Sequence, residues 1–421
     1  MTMETYDVLR TIQNFWNLED FESLPIANDI IASVTAASQH YRDQSGEQQV
    51  ENSRTVFCGR KSTTALQADL NEMKAKLEEA KKSVAATQLF LNSSQNITAL
   101  KASTMSSELE QLKAMSVVVA DTGDFRLIDQ YKPCDSTTNP SLILQVVNEP
   151  TYKGLFDDAV AYAKSNGSDL GVALDKLYVN FGLEILKVIP GRVSVEVDAR
   201  LSYEIDAQVQ KALGIIKMFE NAGISKERIL IKISSTYEGI KAAEILERDH
   251  GVHCNLTLLF SLTQAILCAQ SKVTLISPFV GRILDWFVAN TDKKSYEPFD
   301  DPGVKSVTEI YQYFKTFGHK TEVMAASFRN LGEIRALAGC DLLTIAPKFL
   351  KELGNNQQEL KRVLSPENSP KYEGNEIKLD EKSFREGLAS NEMASFKLKE
   401  GIEKFSADCI KVENMLKEKL A

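Results

Sequence analysis

The chain has 421 residues, of which 43% are hydrophobic and 25% are charged, and its formal net charge is −9. This composition is typical of a folded globular protein and excludes a disordered or collagen-like chain. The acidic balance argues against a nucleic-acid partner, no run approaches the roughly 18 apolar residues of a membrane span, and the start MTMETYDVLR lacks a secretory signal.

Residues 1–112 differ in character from the rest and are predicted to form a helical extension of unknown role. The first fifty residues contain eight acidic and only two basic side chains. From Leu66 to Val84, apolar residues recur at alternating spacings of four and three, which is typical of a coiled-coil seam. A single amphipathic helix packed on its own protein is the alternative. The seam residues are Leu66, Leu70, Met73, Leu77, Ala80 and Val84.

A seam this short is marginal unless it meets another helix. It therefore folds back on a second helix of its own module, pairs with its copy in a homodimer, or binds a different protein. These alternatives are open at the level of the sequence.

Residues 113–421 are predicted to form an α/β domain. Short β-rich runs alternate with amphipathic helices such as Ala207–Asn221 and Ile240–Arg248, while 347–421 is polar and helical. Eight such strands predict a (β/α)₈ TIM barrel with a C-terminal helical tail. The predicted strands are Val117–Ala120, Thr137–Asn139, Val193–Val197, Ile229–Ile233, Cys254–Leu258, Val273–Ser277, Glu322–Ala325 and Leu342–Ile345.

Alternation within the strands predicts a polar site inside the barrel. Successive strand side chains point to opposite faces, and the outer face must be apolar because it packs under helices. In the third strand the valines share one face, which leaves Ser194 and Glu196 on the other. By the same rule, Lys232 is on the inward face of the fourth strand, and Asn255 and Thr257 are on the inward face of the fifth.

Further polar residues stand at strand ends. Asp121 follows the first strand, Asn139 closes the second, and Ser277 closes the sixth. The alternative for such residues is that they only cap the following helix, and this reading is favoured for Thr138 and Ser141.

Lys232 is the strongest candidate for a reacting group. It is flanked by isoleucines in a central strand, where an ammonium ion is costly to bury. Burial favours the neutral amine, which is a nucleophile that forms Schiff bases with carbonyl compounds. Glu196 on the preceding strand is placed to move protons for it.

Two arginines indicate a phosphorylated substrate. Arg282 and Arg329 follow the sixth and seventh strands at corresponding positions. A guanidinium binds phosphate through two parallel hydrogen bonds, although a surface salt bridge is the plainer explanation for either arginine alone. The residues thus predict carbon–carbon bond chemistry through an imine on a phosphorylated sugar.

The cysteines favour a reducing compartment. No two are spaced as a CxxC pair, and the four histidines show no zinc-binding spacing. Six reduced thiols are expected in a cytoplasmic protein. They are Cys58, Cys134, Cys254, Cys268, Cys340 and Cys409.

Several motifs now resemble those of the transaldolase family. Residues 135–142, DSTTNPSL, are similar to its first signature, and 229–240, ILIKISSTYEGI, to its active-site lysine signature. The other matching motifs are VADTGD at 119–124, VEVDAR at 195–200, NLTLLFS at 255–261, ISPFVGRILDW at 276–286 and ASFRN at 326–330. The resemblance covers about 113–421, and residues 1–112 match nothing in the family.

The resemblance implies a role for each site residue. Lys232 resembles the Schiff-base lysine and Asp121 the acid/base that takes the C4 hydroxyl proton. Glu196 and Thr257 are similar to the pair that holds the catalytic water. The implied substrate-binding residues are Asn139, Asn255, Ser277, Phe279, Arg282, Ser327 and Arg329.

The reaction implied by the resemblance belongs to the non-oxidative pentose phosphate pathway. A dihydroxyacetone unit passes from sedoheptulose 7-phosphate to glyceraldehyde 3-phosphate, which gives erythrose 4-phosphate and fructose 6-phosphate. Sugar phosphates are the implied partners, and no metal or organic cofactor is implied. A simple class I aldolase or fructose 6-phosphate aldolase on the same barrel is one alternative. An interaction protein with a passive barrel is another, although Lys232, Glu196 and Asp121 are all present.

Overall fold

The structure, a computed structural model, describes residues 106–367 and 369–420. In this part of the chain, eight parallel strands close into a barrel in chain order, and β1 pairs with both β2 and β8. The predicted (β/α)₈ barrel is thereby confirmed. The strands are β1 (Val117–Asp121), β2 (Asp135–Thr137), β3 (Val193–Glu196), β4 (Ile229–Ser234), β5 (Cys254–Leu259), β6 (Leu275–Pro278), β7 (Glu322–Ala325) and β8 (Leu342–Ile345).

Helices follow the strands and cover the barrel. Several begin at side-chain caps that satisfy free backbone N–H groups, for example Thr236, whose hydroxyl accepts from Gly239 N at 2.8 Å. The helices are α1 (Glu108–Lys113), α2 (Phe125–Tyr131), α3 (Pro140–Val146), α4 (Lys153–Ser165), α5 (Leu170–Leu186), α6 (Ile205–Asn221), α7 (Tyr237–His250), α8 (Leu262–Gln270), α9 (Val280–Asn290), α10 (Pro302–Phe317), α11 (Leu331–Ala336), α12 (Pro347–Asn355), α13 (Glu381–Ser390) and α14 (Glu392–Leu420).

The strands divide their side chains between two cores. Ile229, Ile231 and Ile233 of β4 belong to the large core that the helices share, whereas Leu230 lies in a separate cluster. This inner cluster takes one residue from each of five strands and forms an apolar layer within the barrel. Its members are Val119, Leu230, Leu275, Met324 and Leu342.

Two predicted strands begin at different residues in the structure, and β1, β3, β4 and β5 differ from the prediction by one residue at their ends. β2 covers Asp135–Thr137 rather than Thr137–Asn139, because Asn139 caps α3 by accepting a hydrogen bond from Leu142 N at 3.0 Å. β6 begins at Leu275 rather than Val273. Its ladder starts late because the backbone N–H of Thr274 donates to the Glu247 carboxylate instead, at 2.6 Å.

Helix α1 lies against the barrel. Leu109 and Leu112 are buried in the main core, and Glu108 forms an ion pair with Arg335 of α11 at 2.9 Å. The predicted domain boundary at residue 112 therefore falls inside a helix that packs on residues of the barrel domain. The predicted N-terminal helices and the coiled-coil seam lie outside the described residues.

The tail helix α14 crosses the carboxyl end of β5. A Cβ on Gly401 would stand 2.6 Å from a methyl group of Leu258, so a larger residue there would displace that side chain. Ser141 donates to Asp408 at 2.5 Å, and Arg200 pairs with Glu413. These contacts confirm the predicted helical tail and place it at the end of the barrel where the strands terminate. Within the described residues, no helix is long and apolar enough to cross a membrane.

The packing of α1 predicts the effect of removing its buried side chain. Leu112 is fully buried, so Leu112→Ala should lower the free energy of unfolding by about 2–5 kcal/mol through lost burial and a cavity. The measurement is denaturant unfolding of the full chain. Glu110→Ala on the exposed face of the same helix is the control and should stay within about 0.5 kcal/mol of the parent. Equal effects of the two variants would contradict the packing of α1.

Candidate active site

A second layer of inward side chains lies above the apolar layer, toward the carboxyl ends of the strands. Its residues stand two positions after members of the apolar layer, since strand side chains repeat with a period of two. Thus Lys232 follows Leu230, and Thr344 follows Leu342. Residues of this layer surround a cavity of about 50 Å³. The cavity is lined by Asp121, Thr137, Asn139, Lys232, Ser277, Phe279, Arg282, Ala326, Ser327 and Thr344.

Lys232 lies at the centre of this layer with only 4% of its surface exposed. In the sheet register, Glu196 of β3 and Asn255 of β5 are its direct neighbours on either side. Its Nζ lies 3.8 Å from Oε2 of Glu196 and donates to the carbonyl oxygen of Thr138 at 3.2 Å. The parallel register therefore brings together Glu196, Lys232 and Asn255, which alternation had assigned to the inward faces of three different strands.

Glu196, beside the lysine, and Thr257 of β5 carry buried hydrogen-bonding groups. Among the described residues, neither carboxyl oxygen of Glu196 nor the hydroxyl of Thr257 has a hydrogen-bond partner, although all three atoms are buried. Burial raises the pKa of Glu196 to about 7, against the opposing effects of Lys232 and Arg282. A carboxyl group with this pKa exchanges its proton near neutral pH, as a general acid/base must.

Asn255 is oriented by hydroxyl groups on both sides. The Ser277 hydroxyl donates to its Oδ1 at 2.5 Å, and its Nδ2 donates to the Ser194 hydroxyl at 3.0 Å. Alternation had placed Ser194 inside the barrel without giving it a role. The structure shows that it holds the amide of Asn255.

Asp121 is held by a pair of threonines. Thr137 Oγ1 donates to Asp121 Oδ1 at 2.9 Å, and it lies 2.6 Å from Thr344 Oγ1. Burial raises the pKa of Asp121, while Lys232, the Thr137 hydrogen bond and Arg282 oppose the rise. Sequence reasoning missed Thr137 and Thr344 as site residues. Alternation within β8 was the available signal for Thr344.

Asn139 combines two functions that the sequence had set as alternatives. Its Oδ1 caps α3, yet the side chain also lines the cavity. The cap holds the residue at the start of the helix, and the cavity lies beside it. Capping and site membership are therefore compatible at this position.

The two arginines lie at one side of the site. Arg282 is stacked between the rings of Phe279 and Phe405, at 4.8 and 5.3 Å from their centroids. Burial lowers the pKa of Arg282, and Arg329 lowers it further. Phe405 belongs to α14, so no local motif could connect it with the site.

Arg329 is the more exposed of the two arginines and pairs with Asp285 at 2.7 Å. It also donates to the Ser327 hydroxyl at 3.3 Å. The salt bridge that the sequence offered as an alternative thus exists, and it holds the guanidinium beside Ser327. Asp285 was not among the predicted site residues.

A larger cavity of about 730 Å³ lies at the opposite end of the barrel. Val117 and Leu342, which begin β1 and β8, are part of its lining. It contains none of the predicted site residues. Because active sites of such barrels lie at the carboxyl ends of the strands, the smaller cavity is the candidate site.

The family model and the similar proteins found by comparison agree on one family. Residues 118–416 match a family model described as Transaldolase/Fructose-6-phosphate aldolase. Over 325 residues the chain is 59% identical to a transaldolase of Cricetulus griseus and 58% identical to one of Homo sapiens; each alignment covers 76% of this chain and 96% of the relative. A transaldolase of Protochlamydia amoebophila is 53% identical over 313 residues, or 74% of this chain and 97% of the relative.

The raised pKa of Glu196 predicts how stability depends on pH. The folded state binds its proton more tightly than the unfolded state, whose pKa is near 4.5. Stability contributed by Glu196 therefore falls as the pH rises from 4.5 to about 7 and is constant above that range. Glu196→Gln should match the parent at pH 5 and exceed its stability at pH 8 by up to about 3 kcal/mol.

Denaturant unfolding at the two pH values checks this expectation. The exposed Glu352 of α12 offers the control Glu352→Gln, which should behave like the parent at both. A stability difference for Glu196→Gln that is the same at pH 5 and pH 8 would show that burial of the carboxylate is not the cause.

Proposed function

The chain belongs to the transaldolase family, and we propose that Lys232 is the residue on which its Schiff base forms. The chain acts as a transaldolase, a transferase whose substrates are sugar phosphates. The observation that supports Lys232 is its burial inside the barrel, 3.8 Å from Glu196 and beside Asn255 in the register. The reaction is transfer of a dihydroxyacetone unit from sedoheptulose 7-phosphate to glyceraldehyde 3-phosphate.

The amine first attacks the ketose carbonyl. The amine nitrogen of Lys232 adds to C2 to form a carbinolamine, and loss of one water molecule gives the imine. Glu196 gives the proton that lets hydroxide leave as water, and it takes a proton back when the imine is hydrolysed. Its pKa of about 7 suits both directions. Thr257 holds the water in place, and its hydroxyl is buried without a hydrogen-bond partner among the described residues.

Carbon–carbon cleavage needs a base at the C4 hydroxyl. Asp121 in its carboxylate form takes that proton, the C3–C4 bond breaks, and its electron pair passes into the imine to give an enamine. The released aldehyde is erythrose 4-phosphate, and addition of the enamine to glyceraldehyde 3-phosphate followed by hydrolysis gives fructose 6-phosphate. Thr137 keeps Asp121 oriented through the 2.9 Å hydrogen bond.

The remaining site residues bind the substrate. Asn139, Asn255 and Ser277 donate to and accept from the sugar hydroxyls, since each presents polar atoms within or beside the cavity. Phe279 closes its apolar side. Arg282, Ser327 and Arg329 bind the phosphate, because a bidentate guanidinium and a hydroxyl match its oxygens.

Phe405 belongs to the proposed site, for which transfer to an aldehyde acceptor and simple aldol cleavage are the two activities to distinguish. This residue of the tail helix covers Arg282, at 5.3 Å from ring centroid to guanidinium, and so adds a wall to the phosphate side of the site. A requirement for the acceptor aldehyde distinguishes the two activities. Fructose 6-phosphate alone should give no sustained release of product.

We place the protein in the cytoplasm, in agreement with its cysteine pattern. The five cysteines in the described part of the chain are all free thiols, and four of them are buried. Residues 1–105 are proposed to bind a second copy of the chain or another protein through the predicted seam.

The first test concerns the covalent step. Borohydride reduction with fructose 6-phosphate should inactivate the enzyme and attach the sugar to the peptide that contains Lys232, which mass spectrometry identifies. Lys232→Ala should lose turnover and labelling. Lys241→Ala, at a half-buried lysine on α7, is the control and should keep both. A label on another lysine would refute the assignment.

The second test separates catalysis from association. A chain beginning at residue 106 keeps α1 and should turn over as the full chain does, because the proposed catalytic residues lie between Asp121 and Thr257. Light scattering should show a changed assembly state or lost partner binding. A chain beginning at residue 113 loses Leu109 and Leu112 and should unfold at lower denaturant. An inactive but folded 106–421 chain would contradict this division.

A further inference from the structure

The segment that connects β7 to α11, residues 326–330, has an unusual backbone support. We call it the phosphate loop, since Ser327 and Arg329 belong to it. Its first half is bound to the end of β6 and to the start of α9: Ala326 N donates to Pro278 O at 3.0 Å, and Gly281 N donates to Ser327 O at 3.0 Å. A Cβ on Gly281 would stand 2.5 Å from that same oxygen, so only glycine allows the contact.

Ser327 needs this support because its φ of 64° lies in the left-handed region. A residue with a side chain adopts this conformation only when its surroundings impose it. The hydrogen bonds of Ala326 N and of Ser327 O, to the end of β6 and the start of α9, impose this conformation from one side of the loop. The second half of the loop requires a separate support.

Glu333 of α11 provides that second support. Its Oε2 accepts a hydrogen bond from the backbone N–H of Arg329 at 2.7 Å, while its own N–H donates to Asn330 Oδ1 at 3.0 Å. The pattern is close to a helix capping box. A capping box alone, however, works with a solvent-exposed side chain, and Glu333 has no exposed surface.

The environment of Glu333 is also unusual for a cap. Its second oxygen, Oε1, is buried and has no hydrogen-bond partner within the described residues. Asp301, which caps α10 through Gly303 N at 2.7 Å, lies beside it. Burial and the charge of Asp301 raise the pKa of Glu333 to about 7, while Arg329 opposes the rise. Such a buried carboxyl group is costly to keep, which argues for a function beyond helix initiation.

The arginine side chain is supported from another direction. Asp285 of α9 accepts from the guanidinium of Arg329 at 2.7 Å, so α9 fixes its charged end and Glu333 fixes its backbone. The guanidinium in turn lies near Arg282 and acts on it electrostatically. Both ends of Arg329 are therefore held by carboxyl groups of neighbouring helices.

We propose that Glu333 is a positioning residue for phosphate binding: it holds the Arg329 backbone so that Ser327 and Arg329 face the same phosphate group as Arg282. This proposal rests on the phosphate-binding role proposed above for these three residues. Glu333 touches no substrate and acts only through the loop.

The test compares phosphate binding with imine formation in the full chain. Phosphate binding is measured as the KM for fructose 6-phosphate and the inhibition constant of inorganic phosphate. Imine formation is measured as borohydride trapping with dihydroxyacetone, which has no phosphate. The variants are Glu333→Leu, Glu333→Gln and Glu333→Asp, with Arg329→Ala as the reference for a lost phosphate contact and Glu352→Leu as the control at an exposed helical position.

Glu333→Leu and Glu333→Asp should each weaken phosphate binding about tenfold, since one removes the acceptor and the other no longer reaches the Arg329 N–H. Trapping with dihydroxyacetone should stay within about twofold of the parent. Glu333→Gln keeps a neutral acceptor oxygen for the Arg329 N–H and should therefore bind phosphate as tightly as the parent. Melting temperatures identify any variant that fails to fold, and Glu333→Asp remains informative if Glu333→Leu does fail.

Three results would overturn the proposal. Parent-like phosphate binding in Glu333→Leu and Glu333→Asp would remove the positioning role. Equal losses of phosphate binding and of dihydroxyacetone trapping would show a merely structural role. Phosphate binding by Glu333→Gln as weak as that by Glu333→Leu would show that the hydrogen bond to the Arg329 N–H does not position the loop. If Arg329→Ala and Arg282→Ala both bind phosphate normally, the proposed phosphate site itself is wrong, which is a separate outcome.

Discussion

The buried amine of Lys232 is the constraint on which the site depends. A closed barrel removes it from water, so its hydrogen-bonding and charged partners must come from neighbouring strands. The register supplies Glu196 on one side and Asn255 on the other, and the Thr138 carbonyl oxygen accepts from the amine. The apolar layer below excludes solvent from beneath. The proposed chemistry uses this low-dielectric interior, in which proton transfer between fixed groups replaces exchange with water.

The two sides of the site are electrostatically linked. Arg282 lowers the pKa of both Glu196 and Asp121, while Glu196 and Asp121 raise the pKa of Arg282 against the effect of burial. The phosphate side therefore affects the protonation of the two proposed acid/base groups. A bound phosphate dianion near Arg282 would offset part of that positive charge. In the proposed reaction, phosphate binding at Arg282 would thus be coupled to proton transfer at Glu196 and Asp121.

Residues of several helices contact the two arginines that are proposed to bind phosphate. Phe405 reaches Arg282 from the tail helix, and Asp285 reaches Arg329 from α9. Glu333 adds the backbone support of the phosphate loop. The first two contacts join elements that are separated by many residues in sequence, whereas Glu333 lies only four residues after Arg329. The barrel supplies the reacting groups on strands, whereas helices outside the barrel adjust the groups proposed to bind phosphate.

Local sequence pattern determined the strands, their alternation and the inward position of Glu196, Lys232 and Asn255, because a period of two assigns each side chain to a face without knowledge of the partners. It also determined the family, through motifs in order along the chain. It placed β2 two residues late, since Asn139 fits both a strand end and a helix cap until the hydrogen bond to Leu142 N is known. Only the tertiary structure decided that Thr344 lies beside Thr137, that Phe405 covers Arg282, that Glu333 holds the Arg329 backbone, and that α1 packs on the barrel. The contacts of Thr344, Phe405 and α1 join residues that are far apart in sequence, and their proximity follows from barrel closure and helix packing. Glu333 lies only four residues after Arg329, and what the tertiary structure adds there is the complete burial of its side chain.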